Sequence, residues 1–286
     1  MKGQVFAITL VVISGVATFI MFISTIDSLH LTRERFYRDY SFADVFVNLK
    51  RAPESLKDKI KAVPGVNQVE TRVSAYVKLA IGGFSEPVNA RILSIPDDGK
   101  PLLNRLYIRK GRLADPAKDY EVVINENFAQ AHGFNLGDRF AAIINGKWKT
   151  LMITGIALSP EFVLLMKPEA MSPDFKRYGV LWMGRKALSK SYDMDGAFNS
   201  VALTLHPDAK LSDVLDRLDH IVEQYGGFGA YARKDQISHR LLSEEFRQLQ
   251  RSSEIFPTIF ICVGACWIKV VMCRTISTQR EQVAAL

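Results

Sequence analysis

The chain has 286 residues, 48% of them hydrophobic and 23% charged, with a net charge of +7. That length is enough for one or two ordinary cores. No cluster of Lys and Arg interleaves with aromatic residues, so nucleic acid is not an expected partner. The averages hide the distribution: residues 3–26 carry no charge, and 255–273 carry only Lys269. A bilayer core of ~30 Å needs roughly 20 helical residues, so both runs are long enough to span it.

The first run, 1–26, reads as a membrane helix. A cleaved signal peptide has a shorter apolar stretch and a small-x-small site, and Ser24-Thr25-Ile26 is a poor one. Lys2 precedes this run, whereas Arg274 and Arg280 follow the second, so the positive-inside tendency places both termini in the cytoplasm. Residues 25–254, with 33 basic and 29 acidic residues, then lie outside the cytoplasm. All three cysteines, Cys262, Cys266 and Cys273, fall in the second run, so the exported region must be stable without disulfides. They read as apolar filler of the helix, since no further ligands lie near them.

Residues 27–40 continue the first helix outward. Strand alternation follows, with Ala43, Val45, Val47 and Leu49 on one face. Pro53 suits a helix start, Leu56, Ile60 and Val63 form its inner face, and Pro64-Gly65 stops it. One long strand is expected from Val69 to Ile81, with Gln68, Glu70, Arg72, Ser74 and Lys78 on its polar face. Gly82-Gly83 turns it into a return strand, Val88 to Ile95. The pattern recurs at the far end. Val201, Leu203 and Leu205 alternate, Leu211, Val214, Leu215, Leu218, Ile221 and Val222 form a helical stripe, and Gly226-Gly227 leads to a short strand over Phe228–Ala232. Two strand–helix–strand units of this kind make a split βαβ sandwich, assigned to 41–95 and 199–234.

Residues 96–198 read as an inserted, mostly β subdomain. It holds a strand at Glu121–Ile124, a short helix at Asn125–His132 ended by Gly133, a hairpin across Asn145-Gly146 and a strand at Val180–Met183. Ser159 to Arg177 reads as a loop. Residues 235–254 form a polar stalk helix with Leu242, Phe246 and Leu249 as a narrow stripe, and 255–273 form the second span, with Pro257 near the junction. Lys269 lies close enough to Arg274 to snorkel to the interface. The fold class is therefore α+β: two transmembrane helices flanking an extracytoplasmic domain made of a split βαβ subdomain and an inserted β-rich one.

Chemistry motifs are missing from the sequence. No GxxxxGK[ST] loop is present, and Gly226-Gly227-Phe228-Gly229 lacks the required Lys and the following helix. Asp193-Met194-Asp195-Gly196 lacks the further acidic ligands of a calcium loop. The five histidines stand apart with no metal-ligand spacing, and no nucleophile motif appears. The expectation is no enzyme, no cofactor and no metal.

The segment 274–286, containing Arg280, Glu281, Val283 and Leu286, resembles the cytoplasmic coupling segment of FtsX-like, MacB-type ABC transporter permeases. Ile276, Val283 and Leu286 share one face of a short amphipathic helix that would fit a groove on a partner. Pro64-Gly65-Val66, flanked by Val63 and Val69, resembles a step in that family's periplasmic domain. So does the series Gly111-Arg112, Glu121-Val-Val-Ile-Asn-Glu-Asn-Phe-Ala, Gly133 and Leu136-Gly137-Asp138.

The resemblance implies a porter-like subdomain at the split βαβ unit. It also implies a permease of the bacterial inner membrane that couples ATP hydrolysis by a separate ATPase subunit to work on lipids, lipoproteins or exported molecules. Further partners would be additional permease helices or a second copy, and membrane lipids. ATPase contact is expected at Ile276, Arg280, Glu281, Val283 and Leu286, and motion is expected to pass through Leu242, Phe246 and Leu249. Family permeases continue with further helices, so the chain is expected to be the leading part of a larger permease. The rival reading is a two-span membrane sensor with a periplasmic domain.

Overall fold

A computed structural model describes residues 2–84, 87–164 and 174–284, with side chains at all of these except 2, 4, 5, 7, 8, 274, 275 and 277–284. The chain divides into two compact units, Met1–Arg35 with Leu242–Leu286, and Phe36–Leu241.

The first unit is built from two long helices, α1 (Lys2–Asp39) and α6 (Ile237–Ala284). Both are long and apolar enough to cross a membrane. They pair along a narrow seam. Gly15 leaves room for Phe260, Gly264 lies against Val12, and Phe22 stacks on Phe256 at 6.1 Å. Outside the seam the apolar side chains point outward, so only 6% of the apolar window of α1 and 11% of that of α6 is buried. A core helix of a water-soluble domain would hide most of that surface. Pro257 lies inside α6 and does not end it. It cannot donate to the Ser253 carbonyl one turn back, and the Thr258 hydroxyl donates to the next carbonyl, that of Glu254, at 2.6 Å.

In the second unit, β1 (Val45–Pro53), α2 (Leu56–Lys61) and β2 (Val66–Arg72) form one strand–helix–strand unit. Pro53 ends the strand and does not open the helix. Then come β3 (Ser74–Ala80), β4 (Val88–Ile95), β5 (Tyr107–Gly111), β6 (Glu121–Asn125), α3 (Glu126–His132), β7 (Arg139–Ile144) and β8 (Lys147–Leu158). A 3-10 turn at Pro160–Phe162 precedes β9 (Tyr178–Gly184), α4 (Arg185–Ser191), β10 (Ala197–Leu205), α5 (Leu211–Glu223) and β11 (Ala230–Ala232).

Four strands form a sheet in the order β11-β1-β10-β2, every neighbouring pair antiparallel. β10 thus sits between β1 and β2, and β1 between β10 and β11, which is the interleaving of two split βαβ units. One face of the sheet packs Val45, Val47, Val201 and Leu203 under α2 and α5, whose Leu56, Ile60, Val214, Leu218 and Val222 are buried. The other face is apolar too, with Phe46 and Ala202 packed among Tyr37, Phe42 and Leu103.

The other seven strands run β5-β8-β6-β9-β4-β3-β7, and an additional β7–β8 pairing closes six of them into a ring with β5 outside. Closure removes the exposed edges that an open sheet of this size would carry. Twelve-residue β8 makes it possible, pairing with β7 along its first half and with β5 and β6 along its second. The hairpin joining β7 to β8 turns at Asn145 (φ 47°) and Gly146 (φ 75°), the geometry that Asn-Gly favours.

The single strand expected from 69 to 81 is two strands. The chain leaves the first sheet at Arg72 and enters the second at Ser74. Ser94 bonds the Val73 amide with its hydroxyl and the Val73 carbonyl with its own amide, and Asn199 bonds the backbone amide and carbonyl of Ser74. The hairpin β3–β4 therefore belongs to the closed sheet and not to the 41–95 subdomain in which the sequence placed it. Alternation could not reveal the switch, because both sheets bury a face of this segment.

Candidate functional site

Within the second unit, the end of α1 and the start of α6 are fastened to one another and to both sheets. The two ends meet directly where a ring nitrogen of His239 lies 3.1 Å from the Tyr37 hydroxyl. Arg233, two residues before Asp235, donates to the Ala43 and Phe42 carbonyls, pairs with Asp44 at 2.6 Å and stands 5.0 Å over the Phe42 ring. Arg233 follows β11 and Asp44 precedes β1, and these strands pair, so sheet register brings the two groups together.

The second fastening is indirect and centres on Glu161. The loop after β4 caps the end of α1, where the Asn104 amide donates to the Ser41 carbonyl, the Arg105 amide to the Tyr40 carbonyl and the Arg105 guanidinium to the Asp39 carbonyl. Asn104 accepts from the Ala43 amide at 2.9 Å and donates to the Glu161 carboxylate at 3.0 Å. Arg72, at the end of β2, grips the same carboxylate with two nitrogens at 2.5 and 3.2 Å. Gln236 donates to the Glu161 backbone carbonyl at 2.6 Å and, as the cap of α6, accepts from the His239 amide at 2.8 Å. The Ser238 hydroxyl accepts from the Leu164 amide.

Arg72 and Glu161 are 5% and 2% exposed, so this is a buried ion pair. Burial works against the Arg72 charge, and Glu161 more than offsets it, leaving the guanidinium more basic than usual. Glu70 is also buried. Desolvation raises its carboxyl above the ordinary range, against the Leu103 amide that donates to it at 2.8 Å. A doubly hydrogen-bonded buried pair resists breaking, at ~3–5 kcal/mol for loss of one partner. The node thus ties the end of α1 and the start of α6 to the end of β2 through hydrogen bonds.

Sequence reasoning missed the node. Glu70 and Arg72 stand on the polar face of the expected strand, and Leu103, Asn104 and Glu161 cover that face. Glu161 lies in a stretch read only as a loop. The one usable signal was Ser159-Pro160-Glu161, where the Ser159 hydroxyl caps a turn opened by proline.

Of the expected stalk stripe, Phe246 is buried in the first unit, its ring taken edge-on by His30 at 4.8 Å and covered by the Arg33 guanidinium at 5.1 Å. Leu242 and Leu249 are half-buried. Ile276 is exposed. Arg280, Glu281 and Val283 lie on α6 at positions whose side chains are outside the described set, and Leu286 is outside the described residues. Segment 274–284 is not a separate short helix, because α6 continues through it.

The Gly111-Arg112 and Glu121 motif is a structural clasp. Gly111 has φ 77°, and a Cβ there would lie 2.2 Å from the Thr154 carbonyl oxygen, so only glycine fits. Arg112 then reaches back to fully buried Glu121 with two bonds of 2.7 and 2.8 Å, joined by Lys118 at 3.0 Å and the Asp115 amide. The Arg112 bonds hold the Glu121 carboxyl at about 2, against its desolvation.

Beside Glu161 opens a cleft of about 350 Å³ between the sheets, lined by Tyr76, Arg91, Phe162, Tyr178 and Tyr231. Arg91 donates to the Ser74 hydroxyl at 2.9 Å and lies 5.7 Å over the Phe162 ring. Burial pushes the Tyr178 hydroxyl up to about 12, with Arg91 opposing. Among the described residues no group of three or more His, Cys, Asp or Glu could hold a metal ion.

No family model matches the chain, and no curated protein matches it. Solved structures similar in chain path include the following three. The periplasmic region of MacB from Actinobacillus actinomycetemcomitans is 13% identical, with 72% of this chain and 95% of that chain covered and a TM-score of 0.41. The extracellular domain of the noncanonic ABC-type transporter YknZ from Gram-positive bacteria is 11% identical over 66% of this chain and 98% of that one, TM-score 0.41. A domain of a putative permease protein from Porphyromonas gingivalis is 12% identical over 70% and 95%, TM-score 0.37. At such identities and scores these likenesses assign no activity.

Proposed function

We propose that the chain is a permease unit of the FtsX/MacB mechanotransmission type. It would be anchored in the bacterial inner membrane by α1 and α6, with Phe36–Leu241 outside the cytoplasm and both termini inside. A separate ATPase subunit docks on 274–286 through Ile276, Arg280, Glu281, Val283 and Leu286. ATP-driven movement of that subunit displaces the cytoplasmic end of α6. The stripe of Leu242, Phe246 and Leu249 keeps α6 moving with α1, and the exported domain acts on lipids, lipoproteins or exported molecules. Hydrolysis belongs to the partner, so this chain supplies coupling and no catalytic group.

The observation that carries the reading is the continuity of α1 and α6 from apolar segments to ends joined on one buried node. A helix transmits displacement along its axis because each turn is hydrogen-bonded to the next. A node of buried charge gives that displacement a rigid target.

The test is co-purification of the permease with its ATPase partner, comparing wild type with Val283→Asp and Val283→Ala. The acidic variant should lose most of the captured ATPase while inserting and folding normally, and the alanine variant should keep it. Undiminished capture by Val283→Asp would refute docking at this segment.

A further inference from the structure

On the closed sheet, β8 and α4 each present two lysines to the same place. Lys147 and Lys149 are two apart on β8, so they share a face of the strand. Lys186 and Lys190 are four apart on α4, so they share a face of the helix. The four converge on a cleft of about 510 Å³ over an apolar floor that includes Ile144 and Ala187. Asp119 is the one carboxylate among the described lining residues, and Lys149 already pairs with it at 3.2 Å. Lys147, Lys186 and Lys190 form no ion pair with any described residue.

Stability alone does not account for this arrangement. Like charges four apart on a helix destabilise it, and two lysines on one face of a strand add to the same local positive charge. Here both arrangements occur, and all four lysines line one cleft. Elsewhere on this sheet a cluster of basic groups has a carboxylate at its centre, as Arg112 and Lys118 have Glu121. In the lysine cleft Asp119 answers Lys149 alone, and Lys147, Lys186 and Lys190 have no carboxylate partner among the described residues.

We infer that this cleft is a binding site for a compact polyanion carrying two or more phosphate groups. Lysine is a flexible, strongly hydrated point charge suited to phosphate, and four on two rigid elements can each meet a different oxygen. A single carboxylate or phosphate would neutralise one lysine and leave the others repelling, so affinity should rise steeply with the number of phosphates. The ligand could be a soluble oligophosphate or a lipid headgroup bearing two phosphates, and the chemistry recognised is the same.

The experiment uses the full chain in nanodiscs of zwitterionic lipid, titrated calorimetrically at two salt concentrations with tripolyphosphate, orthophosphate, citrate and a short-chain lipid carrying two phosphates. Tripolyphosphate should bind saturably, at least tenfold tighter than orthophosphate or citrate, and more weakly at high salt. Lys186→Gln/Lys190→Gln should weaken it at least about tenfold, as loss of two charged hydrogen bonds implies. Lys59→Gln/Lys61→Gln, which removes the same charge from α2, should leave it unchanged. Preference between tripolyphosphate and the lipid identifies the source. No saturable binding of either ligand, citrate binding as tightly as tripolyphosphate, or equal effects of the two double variants would overturn the assignment. Lys147→Gln/Lys149→Gln provides a second variant on a different element, should α4 lose stability.

Discussion

Replacing Glu161 with Gln tests the node most directly. The substitution keeps the shape and one acceptor oxygen but removes the charge that faces Arg72, a guanidinium only 5% exposed. Ser200, at 3.4 Å, is the remaining hydrogen-bonding side chain on Arg72, and its Nε already has no partner. Loss of one member of a buried pair costs ~3–5 kcal/mol. The retained amide bonds and the charge of nearby Glu70 lower this to about 2–3 kcal/mol. With a urea dependence of ~2–3 kcal/mol per molar for a unit of this size, the midpoint should fall by about 1 M.

Trp182 reports on the transition, because it is buried in the closed sheet and meets Phe162, the residue after Glu161, edge-on at 6.2 Å. The other two tryptophans, Trp148 and Trp267, are exposed, so the folded-state change in fluorescence comes chiefly from Trp182. The full chain in detergent micelles would be unfolded in urea and followed by emission wavelength. The double variant Arg72→Met/Glu161→Met should recover much of the loss, because removing both charges removes the desolvation cost. An unchanged midpoint in Glu161→Gln, or a double variant worse than the single ones combined, would refute the reasoning.

Two further outcomes follow from the geometry. Glu121 has a folded-state value of about 2 against an ordinary 4.5, so its contribution is fully present above pH 4.5 and disappears as the pH falls through 2. Acid titration of Glu121→Gln against wild type should therefore show curves that differ by about 2 kcal/mol at pH 6, discounted for half-exposed Arg112, and converge near pH 2. Phe246→Ala should cost the helix pair about 2–3 kcal/mol through lost burial and the Arg33 contact. The measurement is thermal loss of helical circular dichroism in micelles, and Phe246→Leu should lie closer to wild type.

The elements that local patterning controls were legible from sequence. Apolar runs of helical length, one with no charge and one with only Lys269, mark α1 and α6, because a span needs about 20 such residues. The stripe on α5 and the Asn145-Gly146 turn were equally plain, since helix periodicity and positive φ are properties of neighbouring residues. What depended on distant partners was hidden. Val73 changes sheets with no break in alternation, because Ser94 and Asn199, far along the chain, hold the crossing. Glu70 and Arg72 read as the polar face of a strand until Leu103 and Glu161 cover them. The four lysines look like ordinary surface charge on two separate elements until β8 and α4 bring them to one cleft. Periodicity reports which face of a segment is buried, but the identity of the group that buries it is decided only when the sheets close.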